Sequence, residues 1–481
     1  MNYGQFLNMI PEAFLVLSLI LVFIADFATT KTQVKGSALA CLTLGSLAVV
    51  AAVCLIAQPA EAFGGMYVSS QSANVMKAIL AAGTFVVVLM SQSWVSSSAL
   101  NVKNEGEFYM LILSTLLGMF MMTSSGNFLM FFLGLETASV PMACLVAFDK
   151  LKKCSAEAAA KYILVATFSS GVMLFGISFV YAATGTLYFA DVANVFAERG
   201  VAPIAIMGLV FFFSGLGFKL SLVPFHFWTA DTYEGAPTPI TGYLSVCSKG
   251  AAAYALMIIM AKAFGPMIEY WEYLLYIVIV LSITIANLFA IRQSELKRFM
   301  AFSSISQAGY IMLAVIGSSQ VGMAALMYYV LVYVVANMAV FTVISTIEQN
   351  NHGTTMMSSY DGLYQTNPKL AFLMTLALFS LAGIPPFAGM FSKFFVFMAA
   401  AQQGSFWAYF VVFIALINTV VSLYYYLLIV KAMYIKQTDS PLPTFTTEFS
   451  TRTALVICTL GIVLFGICSC IYDYLFAASA L

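Results

Sequence analysis

Residues 218–228 read FKLSLVPFHFW, and residues 381–395 read LAGIPPFAGMFSKFF. Each stretch lies deep inside a long apolar run and combines a single lysine with one or more prolines, the second adding two glycines. A proline within a helix removes one backbone hydrogen bond and frees a carbonyl. At membrane depth such a carbonyl is tolerated only where protein or a water-filled cavity satisfies it. Two broken membrane helices, each holding a buried cation, are therefore predicted. Interrupted spans at matching places in two halves of a chain point to an ion site; a kink that serves packing alone is the competing reading.

The surrounding sequence agrees with a membrane fold. The 481 residues are 62% hydrophobic and 8% charged, whereas a soluble domain is about a quarter charged. Apolar runs long enough to cross a bilayer core, about 20 helical residues, recur from end to end. Fourteen spans are predicted, at 9–27, 37–57, 78–95, 108–124, 127–148, 158–183, 201–228, 239–264, 271–291, 299–316, 322–347, 368–400, 406–434 and 453–474. The runs are continuous and lack the two-residue alternation of an outer-membrane barrel, so the fold class is an all-α integral membrane protein. Met1 to Met9 lack the charge and cleavage site of a signal peptide, and the first run is expected to stay as a span.

Twenty basic and twenty acidic residues cancel, leaving no basic surface for nucleic acid and no acidic tail for a basic partner. Eight cysteines are scattered through apolar stretches, Cys468 and Cys470 being the only close pair. Without a CxxC spacing they read as small buried residues, not as zinc or cluster ligands. No GxGxxG and no histidine pair at haem spacing occurs, so the chain alone is expected to do no redox chemistry.

Orientation follows from the connections. Lys31, Lys35, Lys103, Lys150, Lys152, Lys153, Arg292, Lys297, Arg298, Lys369, Lys431, Lys436 and Arg452 fall on one side, and Lys77, Arg199 and Lys262 on the other. The richer side is expected to be cytoplasmic. With an even number of spans both termini then face outward, the periplasm in a bacterium, whose inner membrane is the expected location.

Lys161, Lys219, Lys249 and Lys393 remain, all within predicted spans. A charge at the centre of a spanning helix costs about 2.5–3.5 kcal/mol by insertion scales, and such residues mark ion paths. Glu136 and Lys249 fall near the middle of their spans, and Lys219 and Lys393 lie deep in the two longest. Lys161 sits in the first turn of its run, where its stem could also reach the headgroups. His226, two residues beyond Pro224, is placed to pass a proton from the break towards the cytoplasmic end, or else to bond a freed carbonyl. Burial disfavours the ammonium form of a lysine, so that it binds and releases a proton within a cycle. A carboxylate such as Glu136, about 6.5 Å from Lys219 at an effective dielectric constant of about 20, would oppose this by roughly 2.5 kcal/mol. Moving one charge across 100 mV takes about 2.3 kcal/mol, so making or breaking that pair is an adequate switch. In the second half Lys393 is the only buried charge, and Ser303, Ser304, Ser306, Gln307, Tyr310, Asn337 and Asn418 would have to line a hydrated path. Each of these polar residues also reads as interhelical glue.

Residues 218–250, FKLSLVPFHFWTADTYEGAPTPITGYLSVCSKG, closely resemble the seventh and eighth spans of the antiporter-like subunits of respiratory complex I in their subunit N form. FFLGLETASVPMA around Glu136, ELKRFMAFSSISQAGY at 295–310 and LAGIPPFAGMFSKFF around Lys393 agree in the expected order. The resemblance implies two inverted five-helix repeats, 108–264 and 271–434, three helices before them in 1–107 and one after in 453–481. It implies roles as well: Glu136 paired with Lys219, Lys249 as the central lysine of the eighth span, and Lys393 on the exit half-channel. Subunit M would carry glutamate at the last position, and subunit L a long lateral helix beyond the place where this chain ends at Leu481. Ala230 departs from the family, which commonly has proline there.

On this resemblance the NADH, FMN, iron–sulfur clusters and quinone belong to partner subunits, and this chain holds no cofactor. Its partners would be subunit M, small K- and J-type subunits and, through them, the peripheral redox arm. The related subunit of a multi-subunit sodium/proton antiporter is the main rival, separated by its lack of a flavin and iron–sulfur module. A stand-alone solute carrier would need a binding cavity that the sequence does not display.

Overall fold

The computed structural model describes residues 3–29, 35–97, 104–316, 319–351, 353–436 and 442–479. Its main helices are α1 Ile10–Thr29, α2 Lys35–Ile56, α3 Gln71–Ser96, α4 Glu105–Thr123, α5 Phe128–Val146, α6 Lys153–Thr184, α7 Phe189–Arg199, α8 Pro203–Leu220, α9 Phe227–Gly235 and α10 Thr238–Lys262. There follow α11 Ile268–Ala290, α12 Leu296–Met312, α13 Gln320–Asn350, α14 Pro368–Ala382, α15 Ala388–Ala401, α16 Phe406–Tyr434, α17 Phe449–Ile467 and α18 Cys470–Ala478. Among the described residues, 12 helices are long and apolar enough to cross a membrane. The broken pair α14 and α15 makes a further span, and the buried α12 completes the fourteen expected.

Local chemistry sets the helix ends. Asn127 caps α5 by accepting from the Met130 amide at 2.8 Å, and Ser319 and Ser405 cap α13 and α16 in the same way at 3.1 Å, which satisfies amides the first turn leaves free. Small residues allow close helix contacts: a Cβ on Gly118 of α4 would fall 2.3 Å from the Ala138 nitrogen of α5, so these backbones touch as membrane helices do at small side chains.

The inner helices include α3, α10 and α13, with 89%, 89% and 94% of their most apolar 18-residue stretch buried, while in α1, α2, α6, α16 and α17 that stretch is only 28–33% buried. Polar groups on the inner three therefore face protein rather than lipid. Five crossings run from α4 to α10 and five from α11 to α16, and in each set the fourth crossing is the broken one. Because five is odd, the second set starts from the opposite face, so the two repeats are inverted.

Several expectations are corrected. Lys77, assigned to a connection, lies inside α3 with no exposed surface and pairs with Glu12 at 2.7 Å. Lys297, counted as a surface cation, is 5% exposed and donates to the Ala236 carbonyl at 3.0 Å. A two-stranded hairpin, β1 Ala60–Ala62 with β2 Tyr67–Ser69, and the amphipathic α7 occupy connections between expected spans. Lys31, Lys103 and the side chain of Lys35 lie outside the described residues.

Candidate functional site

Lys219 occupies the last turn of α8, and the helix stops at Ser221, whose φ of 60° is left-handed. The chain crosses Val223–Pro224 through a cis bond before α9 begins. Protein satisfies the groups freed by the break. The Trp228 indole donates to the Phe218 carbonyl at 3.1 Å, and the Val223 amide donates to Ser282 Oγ at 2.9 Å. Lys219 Nζ donates to Ser139 Oγ at 2.9 Å and to the Tyr162 hydroxyl at 3.3 Å.

The second break repeats the pattern. α14 closes on Gly383 at a φ of 90°, the chain passes a cis Pro385–Pro386 bond, and α15 begins at Ala388. Lys393 Nζ donates to the freed Ala382 carbonyl at 3.0 Å and stands 5.0 Å from the centre of the Tyr310 ring. Gly383 is needed twice over, since a Cβ there would lie 3.2 Å from Lys393 Cδ in a left-handed conformation.

Lys249 follows a π-helical turn, Leu244–Ser248, inside α10; such turns are frequent at functional sites. Its ammonium donates to Ser304 Oγ at 2.7 Å, and Ser304 stands 3.3 Å from the Tyr233 hydroxyl. Between Lys249 and Lys393 lies a hydroxyl and amide cluster. Ser303 Oγ and the Tyr426 hydroxyl are 2.5 Å apart, Gln307 donates to Tyr426 and to the Leu381 carbonyl at 3.3 Å each, and Tyr329 donates to Gln307 Oε1. A cavity of about 10 Å³ touches Gln307, Tyr333 and Lys393, the least that holds one water molecule. Asn337 donates to Ser245 Oγ at 2.7 Å, while Asn418 and Tyr310 join α11, α12 and α16.

The first break and the helices α9, α10, α12 and α13 also carry side-chain atoms buried without a protein partner: Ser221 Oγ, His226 Nδ1, Thr229 Oγ1, Thr232 Oγ1, Ser248 Oγ, Ser306 Oγ and Tyr333 Oη. Buried polar atoms otherwise nearly always find partners. The His226 ring also lies beside the Pro224 carbonyl at the break, in keeping with a histidine set against a freed carbonyl, and packs on Phe227, centroids 4.5 Å apart.

One expected member acts on Lys219 at a distance and another lies at the surface. Glu136 is half-buried and makes no ion pair with Lys219 among the described residues; Ser139, one turn further along α5, takes the inward position. Lys161 lies on the surface and pairs with Asp231 at 2.7 Å and Glu157 at 2.8 Å. Arg298 of α12 extends that network to Asp231 at 2.8 Å and Glu234 at 2.6 Å. The hydrogen bonds from Lys161, then from Arg298, hold the Asp231 carboxyl below its ordinary range. The sequence also gave no sign of the Glu12–Lys77 pair. Among the described residues, no three His, Cys, Asp or Glu side chains stand together as a metal site would require.

Fold and site define a class: a polytopic helical membrane protein in which a file of buried amines and hydroxyls joins two broken helices. The family described as "NADH:quinone oxidoreductase/Mrp antiporter, TM" matches residues 125–422. The chain is 57% identical over 478 residues to the NADH-quinone oxidoreductase subunit N of Phocaeicola vulgatus, covering 99% of both chains. It is 49% identical to that of Azobacteroides pseudotrichonymphae, covering 99% of this chain and 98% of the other. A chain of the respiratory complex I of Thermus thermophilus, solved with bound aureothin, superposes with a TM-score of 0.79 at 30% identity, covering 95% of this chain and 97% of that one. The chain belongs to this family of antiporter-like membrane subunits.

Proposed function

We propose that this chain is the subunit N type of proton-translocating membrane subunit of an NADH:quinone oxidoreductase. The observation that carries the reading is the file itself. Three buried ammonium groups stand at the two helix breaks and on α10, each bonded to a hydroxyl or a freed carbonyl. A proton bound at Lys219 leaves its amine for a neighbouring hydroxyl or water, passes by way of His226, Tyr233 and Ser304 to Lys249, and continues through Ser303, Tyr426 and Gln307 towards Lys393. Water joining the orphaned hydroxyls completes the relay, since hydroxyls both accept and donate. Glu136 biases Lys219 by its field from outside the first contact shell.

On this reading NADH, FMN, iron–sulfur clusters and quinone sit in partner subunits, the complex lies in the inner membrane of a bacterium, and both termini face outward. α5 supports a neighbouring membrane subunit: Leu129, Leu133 and Val140, 45–50% exposed, lie on the side of the helix that also carries Glu136. The family description also names an antiporter, and purification separates the two readings. A tag on this chain should bring down a flavin- and iron–sulfur-containing module that oxidises NADH. Recovery of the intact membrane assembly with no such module would favour the sodium/proton antiporter.

A further inference from the structure

Glu12 and Lys77 form an ion pair that the lysine file does not use. Glu12 Oε1 and Lys77 Nζ are 2.7 Å apart, at 3% and 0% exposure. The ammonium also donates to the Tyr67 hydroxyl and to Ser69 Oγ, both at 3.1 Å. Tyr67 in turn donates to Glu12 Oε2 at 2.9 Å, and Ser69 to Asn74 Oδ1 at 2.6 Å. The alternation of β2 turns Tyr67 and Ser69 to the same side, where with Asn74 they line a cavity of about 480 Å³ between the hairpin, the start of α1 and the end of α2. That volume admits many water molecules.

Stability alone is a poor reason for such a group. Replacing a buried ion pair by apolar residues is often neutral or stabilising, and charges held within membrane helices usually serve ion movement. Here an acid and a base share one hydroxyl, and its residue, Tyr67, forms part of the wall of that cavity while keeping no exposed surface. We propose that Glu12 is a proton-binding site of its own, loaded from the hairpin-side cavity through Tyr67. A hydronium ion in the cavity gives its proton to the Tyr67 oxygen while the Tyr67 O–H bond to Glu12 breaks and a new O–H bond forms at Oε2. The carboxylate becomes a carboxylic acid, the hydroxyl is restored with its hydrogen exchanged, and the pair gains one positive charge; unloading is the reverse.

The titratable groups facing the pair are Cys54 from α2, Tyr67 from the hairpin and Tyr254 from α10. α4 contributes the Phe120 ring, 5.9 Å from Nζ. Next to Lys77, Met76 comes within 3.4 Å of where a Cβ on Gly250 would sit, beside Lys249. A loaded Glu12 thus leaves an uncompensated ammonium on the helix that packs against the lysine file. That link to pumping rests on the function proposed above, whereas proton binding at Glu12 is measurable apart from it.

The test uses the assembled complex and infrared difference spectra after a pH jump. Lowering the pH should produce a carboxylic-acid carbonyl band that Glu12→Gln lacks. Tyr67→Phe, which keeps the ring, should slow its appearance about tenfold, the equivalent of one lost hydrogen bond to a charged group. Should Glu12→Gln fail to assemble, the doubly neutral Glu12→Gln/Lys77→Met supplies the reference spectrum. A Glu12 band missing at every pH at which the complex turns over, or a Tyr67→Phe rate equal to that of the unaltered protein, overturns the proposal. Lys219→Ala should leave the band in place, so failure of the lysine file and failure of this site read out separately.

Discussion

Lys219 donates its hydrogen bond to Ser139 Oγ at 2.9 Å, one turn along α5 from Glu136. The carboxylate therefore acts on the ammonium through space and the hydroxyl through contact. Glu136→Gln removes the field and keeps the shape, while Ser139→Ala removes the contact and keeps the field. Both are expected to slow proton pumping in proteoliposomes, Ser139→Ala by about ten- to a hundredfold, because a hydrogen bond to a charged group is worth about 1.5–3 kcal/mol. Unaltered pumping in both variants would remove Glu136 and Ser139 from the switch.

Gln307 ties the two halves of the file together, since one side chain meets Tyr329, Tyr426 and the Leu381 carbonyl at the second break. Gln307→Leu strands a buried hydroxyl and the carbonyl, at a cost of about 1–3 kcal/mol. The complex should unfold at a lower temperature and pump poorly, with Gln307→Glu recovering more of the pumping than of the stability. A leucine variant with full pumping would mean that protons bypass this cluster.

Gly383 supports Lys393 from beneath. In Gly383→Ala a left-handed alanine costs about 1–2 kcal/mol, and its methyl group presses on the Lys393 stem at 3.2 Å. Pumping should fall more steeply than assembly, measured as complex recovered from the membrane. If both fell together, the glycine would serve the fold alone.

Asp231 gives a prediction in acid. Its folded value lies below the ordinary one because Lys161 and then Arg298 bond to it. Its contribution to stability is therefore complete above the unfolded carboxylate value of about 3.9 and is lost as pH falls through the lowered folded value. The pair is about a third exposed, so each arm is worth only about 0.2–1 kcal/mol. Asp231→Asn should lower the unfolding midpoint by the same small amount at every pH from neutral to about 5, with the difference vanishing in stronger acid. A penalty that changed between neutrality and pH 5 would point to another titrating group.

Both breaks were legible because a lysine and a proline share an apolar run that has no other way to hold them. The depth of Lys219, Lys249 and Lys393 followed from position, since a lysine seven or more residues from either end of a span has no easy route to water except inward. Lys77 was hidden because the first two turns of α3, QSANVMK, read as a connection, and its partner Glu12 lies in another helix. Lys161 misled for the opposite reason: α6 runs 32 residues, longer than a bilayer core, so its early turns stand clear of the apolar layer. Which side chain of α5 meets Lys219 depends on the rotation of that helix, and the apolar composition around Glu136 does not set it.

The most direct test of the lysine file is the number of protons pumped per NADH oxidised by the assembled complex carrying Lys219→Ala. The account predicts that electron transfer to quinone persists while that number falls. An unchanged ratio in a fully assembled complex would contradict it.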